Sequence, residues 1–360
     1  MASKKRVTMA DVAREAGVHH TTVSLALRQH PSLPAETQKR IQILAAQMGY
    51  RVDPALRALN PYRHHSSPPV QTPRIAFVTS GATRFGWRHV PAHKQFYRGA
   101  ASRAKELGYH LVHLWLDAPE FDPAELSNSL SSNGVQGLLL SSHDSPNHRA
   151  LSIDWSRLCA VQIEHLPGID SIGRVTNDQP AAIETAVRKA LQAGYHRVGL
   201  VLPQWWNHLV DSAWTIGFLA AQQKIPPENR VPPLLYSATS EAPGPQVPPV
   251  PTSLLAKWLS QYRVDAVMSH APAVEPALEI LNLKVPQDIA LADVFLRDED
   301  RDRIAGVRQN CEHVGALSVD RLHQQLLDPS GSPAVSAVRT LVEGTWIDGN
   351  SLPPSQAGGP

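Results

Sequence analysis

Between residues 9 and 27 apolar side chains recur at helical spacing on both sides of one glycine, a pattern that forces two short helices and a tight turn. Val12, Ala13 and Ala16 mark the inner face of the first helix. Thr8 with Asp11 three residues on makes a capping-box-like start, with Asp in place of the usual Glu. Gly17-Val18 ends this helix, because glycine tolerates the left-handed turn conformation. The second helix runs from about His20 to Leu27, with Val23, Ala26 and Leu27 inward. Its outward positions are His20, Thr21, Ser24, Leu25 and Arg28. Two short helices about a glycine turn form a helix-turn-helix, the second being the reading helix. A third helix, about Ala35 to Met48, carries Ile41, Leu44, Ala45 and Met48 on one stripe and closes at Gly49-Tyr50.

Charge points the same way. The 360 residues carry a net +2, which conceals an uneven distribution. Residues 1–65 hold ten Lys or Arg against four acids, a net +6, and five histidines besides. The other 295 residues hold 24 basic and 28 acidic side chains, a net −4. A basic head on a mildly acidic body is the signature of a polyanion-binding module.

The residues of the head, Val7-Thr8-Met9-Ala10-Asp11-Val12-Ala13, Ala16-Gly17-Val18, Thr22-Val23-Ser24, Thr37 and Gly49-Tyr50, resemble the LacI/GalR (lactose-repressor-type) family of bacterial regulators. The resemblance implies that Thr21, Thr22 and Ser24 lie at DNA, on phosphates or base edges. Hydroxyls suit phosphate contacts, whereas bidentate Arg, Asn or Gln discriminate bases. Two positions depart from the family. Leu25 stands where Arg is frequent, and leucine offers only apolar contact, for example to a thymine methyl, so a different half-site is expected. Pro34 stands near the usual Ser cap of the third helix, leaving Ser32 to cap. The DNA-contacting set expected from pattern and resemblance is Thr8, His20, Thr21, Thr22, Ser24, Leu25, Arg28, Tyr50, Leu56, Arg57 and Leu59.

The last three belong to a miniature helix over 53–61. Asp53 suits its N-cap, Pro54 its first position, and Pro61 stops it. Such a short segment is not helical alone in water. In the family the paired segments of two subunits wedge a leucine into the minor groove. Leu59 falls at that position, with Leu56 one turn before it. A polar, proline-rich linker over 62–72 follows the head of 1–52 and this hinge.

From 73 to 349 short β-rich runs alternate with helical stretches, which predicts parallel sheets covered by helices. Expected strands are 74–80, 110–116, 137–142, 160–164, 197–203, 266–270 and 289–295; expected helices are 95–107, 181–193, 212–223, 252–262 and 274–281. The landmarks Phe96-Tyr97-Arg98-Gly99-Ala100, Gly194-Tyr195-His196-Arg197-Val198, Val285-Pro286-Gln287-Asp288-Ile289 and Val307-Arg308-Gln309-Asn310 resemble the family's body. The implied whole is a small all-α helix-turn-helix head plus an α/β periplasmic-binding-protein-like core of two parallel-sheet lobes. Lobe 1 is expected over about 73–172 and 306–328, lobe 2 over about 173–305 and 329–349, and 350–360 as a flexible tail. Nine prolines over 226–251 read as an insertion-like loop.

The effector cleft between lobes departs most. Many sugar-binding relatives carry Arg where Trp214 stands, Asn-Asp where His270-Ala271 stands, and an acidic pair where Phe295-Leu296 stands. Trp205, Trp206, Trp87 and Phe85 lie in segments that could face the same cleft, or could equally be core residues. His143 sits in a polar loop, and Asp178 aligns with a family Asp that serves as N-cap or ligand contact. The expected effector contacts are Phe85, Trp87, His143, Asp178, Trp205, Trp214, His270 and Phe295. Aromatic walls stack on a sugar ring or hold a flatter, more apolar molecule.

Other chemistry lacks its motifs. There is no Gly-x-Gly-x-x-Gly or phosphate-loop lysine, and Pro91 between His89 and His93 spoils a helical metal pair. Ser141, His143 and Asp144 share one loop rather than separate elements, without a nucleophile elbow. No catalytic residue, metal or cofactor is therefore expected. Two cysteines, Cys159 and Cys311, form neither a disulfide framework nor a zinc site. No apolar run reaches the roughly 20 residues of a membrane helix, and no secretory h-region follows the basic start. The expectation is a cytoplasmic, nucleoid-associated regulator with three partners: duplex operator DNA, a small-molecule effector and a second copy of itself, as a dimer or tetramer. Repression is the expected mode, with activation as the alternative that the residues do not discriminate, and a solute-binding protein with an idle head is the rival reading.

Overall fold

Helix-forming runs in the first fifty residues and strand-forming runs beyond residue 73 produce two units, Met1–Val70 and Gln71–Pro360. The computed structural model describes residues 9–27, 33–48, 72–119, 121–122, 126, 130, 133–141, 153, 158–237, 247–328 and 338–355. The hinge, the linker up to residue 71 and residues 356–360 lie outside the described residues.

In the head, α1 (Met9–Ala16), α2 (His20–Leu27) and α3 (Ala35–Gln47) enclose a core of Val12, Ala13, Ala16, Val23, Ala26, Ile41 and Ala45. Gly17 adopts φ +66, and the Val18 amide donates to the Ala13 carbonyl, which closes α1 with a left-handed glycine cap. Pro34 lies just before α3, its carbonyl accepting the first helical bond from Gln38, so the missing proline N–H costs nothing there. Gln42 of α3 donates to the Ala26 carbonyl at 2.8 Å and ties the reading helix to the third helix.

The body contains two six-stranded sheets. The first has the order β11 (Arg339–Val342), β5 (Arg174–Asn177), β4 (Ala160–Ile163), β3 (Val135–Leu140), β1 (Arg74–Thr79), β2 (His110–Trp115), all parallel. The second has β12 (Thr345–Ile347), β10 (Ala305–Arg308), β9 (Ala290–Asp293), β8 (Ala266–Ser269), β6 (Val198–Pro203), β7 (Leu234–Tyr236), parallel except for the β10–β12 pair. Helices α4 (Pro91–Glu106) and α10 (Cys311–Leu326) pack on the first sheet. Helices α5 (Gln179–Gln192), α6 (Gln204–Leu209), α7 (Ala213–Gln222), α8 (Thr252–Tyr262) and α9 (Ala271–Ile280) belong to the second lobe. The inner strands, such as β1, β3 and β6, are buried on both faces and read as near-continuous apolar runs, as parallel sheets demand, whereas the edge strands β2 and β11 are partly exposed.

The chain crosses between the sheets three times, near Asp178, at Gln309–Asn310 and at Glu343–Gly344. The expected lobe boundaries need correction here. Residues 174–177 pair in the first sheet, residues 305–308 in the second, and the segment after 337 divides between both. The strands β5, β10, β11 and β12 have only three or four residues each and carry too little periodicity to show this. The expected flexible tail also starts too early. Ser351 is buried, its hydroxyl donates to the Leu291 carbonyl at 2.6 Å, and the Tyr195 hydroxyl donates to the Pro353 carbonyl.

Glycines set the closest helix contact. A Cβ on Gly99 of α4 would lie 1.8 Å from the Glu312 carbonyl oxygen, and one on Gly315 of α10 would lie 2.0 Å from that of Phe96. The two helices therefore cross backbone to backbone, and Gly99 lies within the landmark segment 96–100.

Candidate functional site

The reading helix turns His20 and Thr21, part of its expected outward face, to solvent, while Leu25 and Leu27 are both half-buried. Thr22 is half-buried as well, and Val23 and Ala26 face the core. His19 precedes α2 and its carbonyl accepts from the Thr22 amide, so it occupies the N-cap position. Its ring lies 4.1 Å from that of His20, and its Nδ1 lies 2.9 Å from the Thr21 hydroxyl. The exposed polar edge of the helix is thus His19, His20 and Thr21. His19 was not among the expected DNA contacts. Its signal was its place one residue before the reading helix, where caps sit. Thr8, Arg28, Tyr50, Leu56, Arg57 and Leu59, and the side chain of Ser24, lie outside what the structure describes.

In the body, ligands of parallel α/β sheets bind beyond the carboxyl ends of strands, where strand order reverses. The second lobe has its reversal between β6 and β8. Trp206 follows β6 on α6 and His270 follows β8, with ring centroids 5.6 Å apart. Trp206 also meets Trp214 at 5.7 Å and Phe295 at 6.0 Å, so it is the hub of an aromatic wall. Phe295 packs against the cores of both lobes. Behind the wall, Asp293 is fully buried at the end of β9. It accepts from the amides of Ala271 at 2.9 Å and Phe295 at 2.7 Å, and its carboxylate lies 3.2 Å from His270 Nδ1. This carboxylate fixes the imidazole edge-on to Trp206 and Phe295. A buried aspartate inside an apolar strand requires such partners, and that anomaly in Ala290-Leu291-Ala292-Asp293-Val294 was the available signal for it.

Three expected contacts take other roles. Trp214 is 1% exposed and belongs to the second-lobe core, reaching the cleft only through Trp206; its indole N–H finds no acceptor. Trp205 points away from the wall and is 36% exposed, so Trp206 holds the position assigned to it. The Asp178 carboxylate accepts from the Ala181 amide at 2.9 Å and caps α5. His143 lies outside the described residues.

Phe85 and Trp87 join a separate cluster at the β1–β2 edge. Trp87 is buried against Phe77 at 5.7 Å, Tyr97 at 4.8 Å and His113 at 5.7 Å. Phe85 is exposed beneath the Arg88 guanidinium, 4.4 Å from its ring centre. His113 bonds the Thr79 hydroxyl at 2.7 Å. Burial, and then the charges of Arg84 and Arg88, lower its pKa to about 4. The neutral imidazole, Trp87 and Tyr97 make this cluster a packed end of the first lobe. Among the described residues no group of His, Cys, Asp and Glu could hold a metal.

Residues 8–53 match the family described as "Bacterial regulatory proteins, lacI family". A curated HTH-type transcriptional regulator of Mycolicibacterium smegmatis is 26% identical over 208 residues, 57% of this chain and 54% of that protein. The chain spans about half the length of the curated relatives it matches. Among solved structures, the lac repressor dimer bound to operator and the anti-inducer ONPF superposes with a TM-score of 0.55 at 19% identity, covering 97% of this chain and all of that one. The transcriptional regulator CelR–cellobiose complex gives 0.54 at 19% identity, covering 96% of this chain and all of that one. The fold is therefore that of LacI-type repressors, a periplasmic-binding-protein-like pair of lobes with an amino-terminal helix-turn-helix head.

Proposed function

We propose that this chain, whose head belongs to the lacI family of bacterial regulatory proteins, is a sequence-specific transcriptional regulator that binds a near-palindromic operator as a homodimer and is controlled by a small-molecule effector. The observation that carries the reading is the coexistence of a lacI-family head with a two-lobe α/β body in one chain. Two heads would read successive major grooves while paired hinges hold the centre of the site. The relative seen with cellobiose supports a cleft effector. In this chain the cleft wall is Trp206, His270 and Phe295, so the effector carries a ring or flat apolar face to stack on Trp206 and a polar group within reach of His270. Repression is the mode in which a bound operator blocks a promoter, and the protein acts in the cytoplasm without enzymatic turnover.

Selection of bound duplexes from a random pool tests this. A palindromic consensus of two half-sites is the expected result. Binding without sequence preference, equally weakened by salt on all duplexes, would return the head to an idle role.

A further inference from the structure

Ser269, the last residue of β8, lies in register with Asp293, the last residue of β9, so the aspartate side chain ends beside the next residue, His270. Its two carboxylate oxygens lie 3.3 and 3.2 Å from His270 Nδ1. The Phe295 amide donates to Oδ1 and the Ala271 amide to Oδ2, so the backbone holds both oxygens in place. An ionised carboxylate only accepts, and the proton of its contact with the ring therefore sits on Nδ1. A neutral imidazole has one N–H, which leaves a lone pair on Nε2. That atom is neither closed off from solvent nor hydrogen-bonded among the described residues, although the side chain as a whole is only 12% exposed. The ring stands edge-on to Trp206 at 5.6 Å and Phe295 at 6.4 Å, so its open edge belongs to the aromatic wall.

We infer that His270 reads the effector through Nε2 as a hydrogen-bond acceptor, with Asp293 as the positioning residue that fixes this tautomer. The effector is accordingly a flat ring with an N–H or O–H donor at its edge: the ring stacks on Trp206 and the donor meets Nε2. This rests on the reading that the cleft takes an effector, and it narrows the class of that effector. An amide side chain at this position would offer both a donor and an acceptor, whereas the locked imidazole offers the acceptor alone. A ligand with a methyl group or an acceptor at that edge would leave the Nε2 lone pair unmet among aromatic rings, and an unmet polar atom in such a setting is penalised more than a bond there is worth.

Two measurements on the full chain at about pH 8, where a free imidazole is neutral, test this. Nitrogen NMR of protein labelled in its histidine rings reads the tautomer, the His270 resonances being those that His270→Phe removes. A protonated Nδ1 and an unprotonated Nε2 are expected; the reverse tautomer or an exchanging mixture would overturn the proposal. Calorimetry then compares indole with 1-methylindole, the same flat ring with and without its N–H donor. Indole should bind saturably and about tenfold or more tighter. His270→Phe keeps an aromatic ring in the wall and should bind the two alike. A preference that persists in this variant is steric and counts against the proposal, as do equal affinities in the parent chain. Asp293→Asn should mix the tautomers and shrink the indole preference, and an unchanged tautomer would remove Asp293 from its positioning role. Where that variant does not fold, the parent-chain tautomer and the His270→Phe comparison decide. Binding of neither compound would strike the wall as an effector site and this inference with it, whereas equal binding of both would remove only the donor requirement. No step uses DNA, so the regulator reading stands or falls separately.

Discussion

Single side chains decide what the head reads and how the body tolerates acid. Leu25 is half-buried on the reading helix, where a longer cationic fork would reach a guanine edge. Leu25→Arg should therefore keep overall affinity within a few-fold while shifting the selected half-site toward guanine at one position. Repeating the random-pool selection with the variant checks this, and an unchanged consensus would remove Leu25 from the base-reading set. In the body the half-buried His93 ring stacks on Phe96 with its Nδ1 shut from solvent, and desolvation lowers its pKa to about 4, as it does for His113. The unfolded chain takes up these protons near pH 6.5 and the folded chain only near pH 4. Their contribution is therefore fully present above pH 6.5 and is lost as the solution is acidified toward pH 4. For His93 the loss between pH 7 and pH 5 is on the order of 2 kcal/mol. Burial raises the Glu164 carboxyl instead, so it acts in the opposite direction and favours the fold as pH falls. His93→Gln isolates the imidazole: its melting temperature should decline less between pH 7 and pH 5 than that of the parent chain, and parallel declines would contradict the assignment.

At the scale of elements, the crossing of α4 and α10 organises the first lobe. Gly99 and Gly315 let their backbones touch, and Phe96, Ala100, Val314, Val319 and Leu322 fill the layer between helices and sheet. A methyl at Gly99 would meet a carbonyl oxygen, not a yielding side chain, so Gly99→Ala should destabilise the body by about 3 kcal/mol, the upper end of overpacking costs. The midpoint of urea unfolding measures it, and a shift below about 0.5 kcal/mol would mean that the helices separate freely. The helices on either side of Gly17 were legible in the sequence because periodicity, cap and turn residue agree there. Thr252–Tyr262 was equally plain, and so were the central apolar strands. The strands β5, β10, β11 and β12 were not, since three or four residues leave no period to detect and their pairing is fixed by distant segments. The aromatic wall was half legible. Its residue types stood out at Trp214, His270 and Phe295, yet which tryptophan faces the cleft depends on the rotation of α6, a six-residue helix too short to show a face. Asp293 was overlooked because it sits within a strand that otherwise reads as core.

The whole molecule separates its charge by unit. The head's +6 and the body's −4 make a head attracted to DNA on a body repelled by it, so the salt dependence of operator binding should originate in the head alone. Each phosphate contact that neutralises one charge contributes a slope of roughly −0.9 to the logarithm of affinity against the logarithm of salt. Lys39 and Arg40 lie exposed on α3, whereas Arg188 and Lys224 lie on the second lobe, Arg188 on α5 and Lys224 beyond α7. In fluorescence anisotropy with a labelled selected duplex between 50 and 200 mM salt, a range over which several phosphate contacts change affinity by orders of magnitude, Lys39→Gln with Arg40→Gln should flatten the slope. Arg188→Gln with Lys224→Gln should leave it unchanged while lowering the net charge of the chain equally. Equal flattening by both pairs would mean that DNA feels the summed charge of the molecule, and the body would then have to lie within a Debye length, about 10 Å, of the duplex. A slope altered only by the head pair would instead assign DNA attraction to the head and leave the body to ligand and partner.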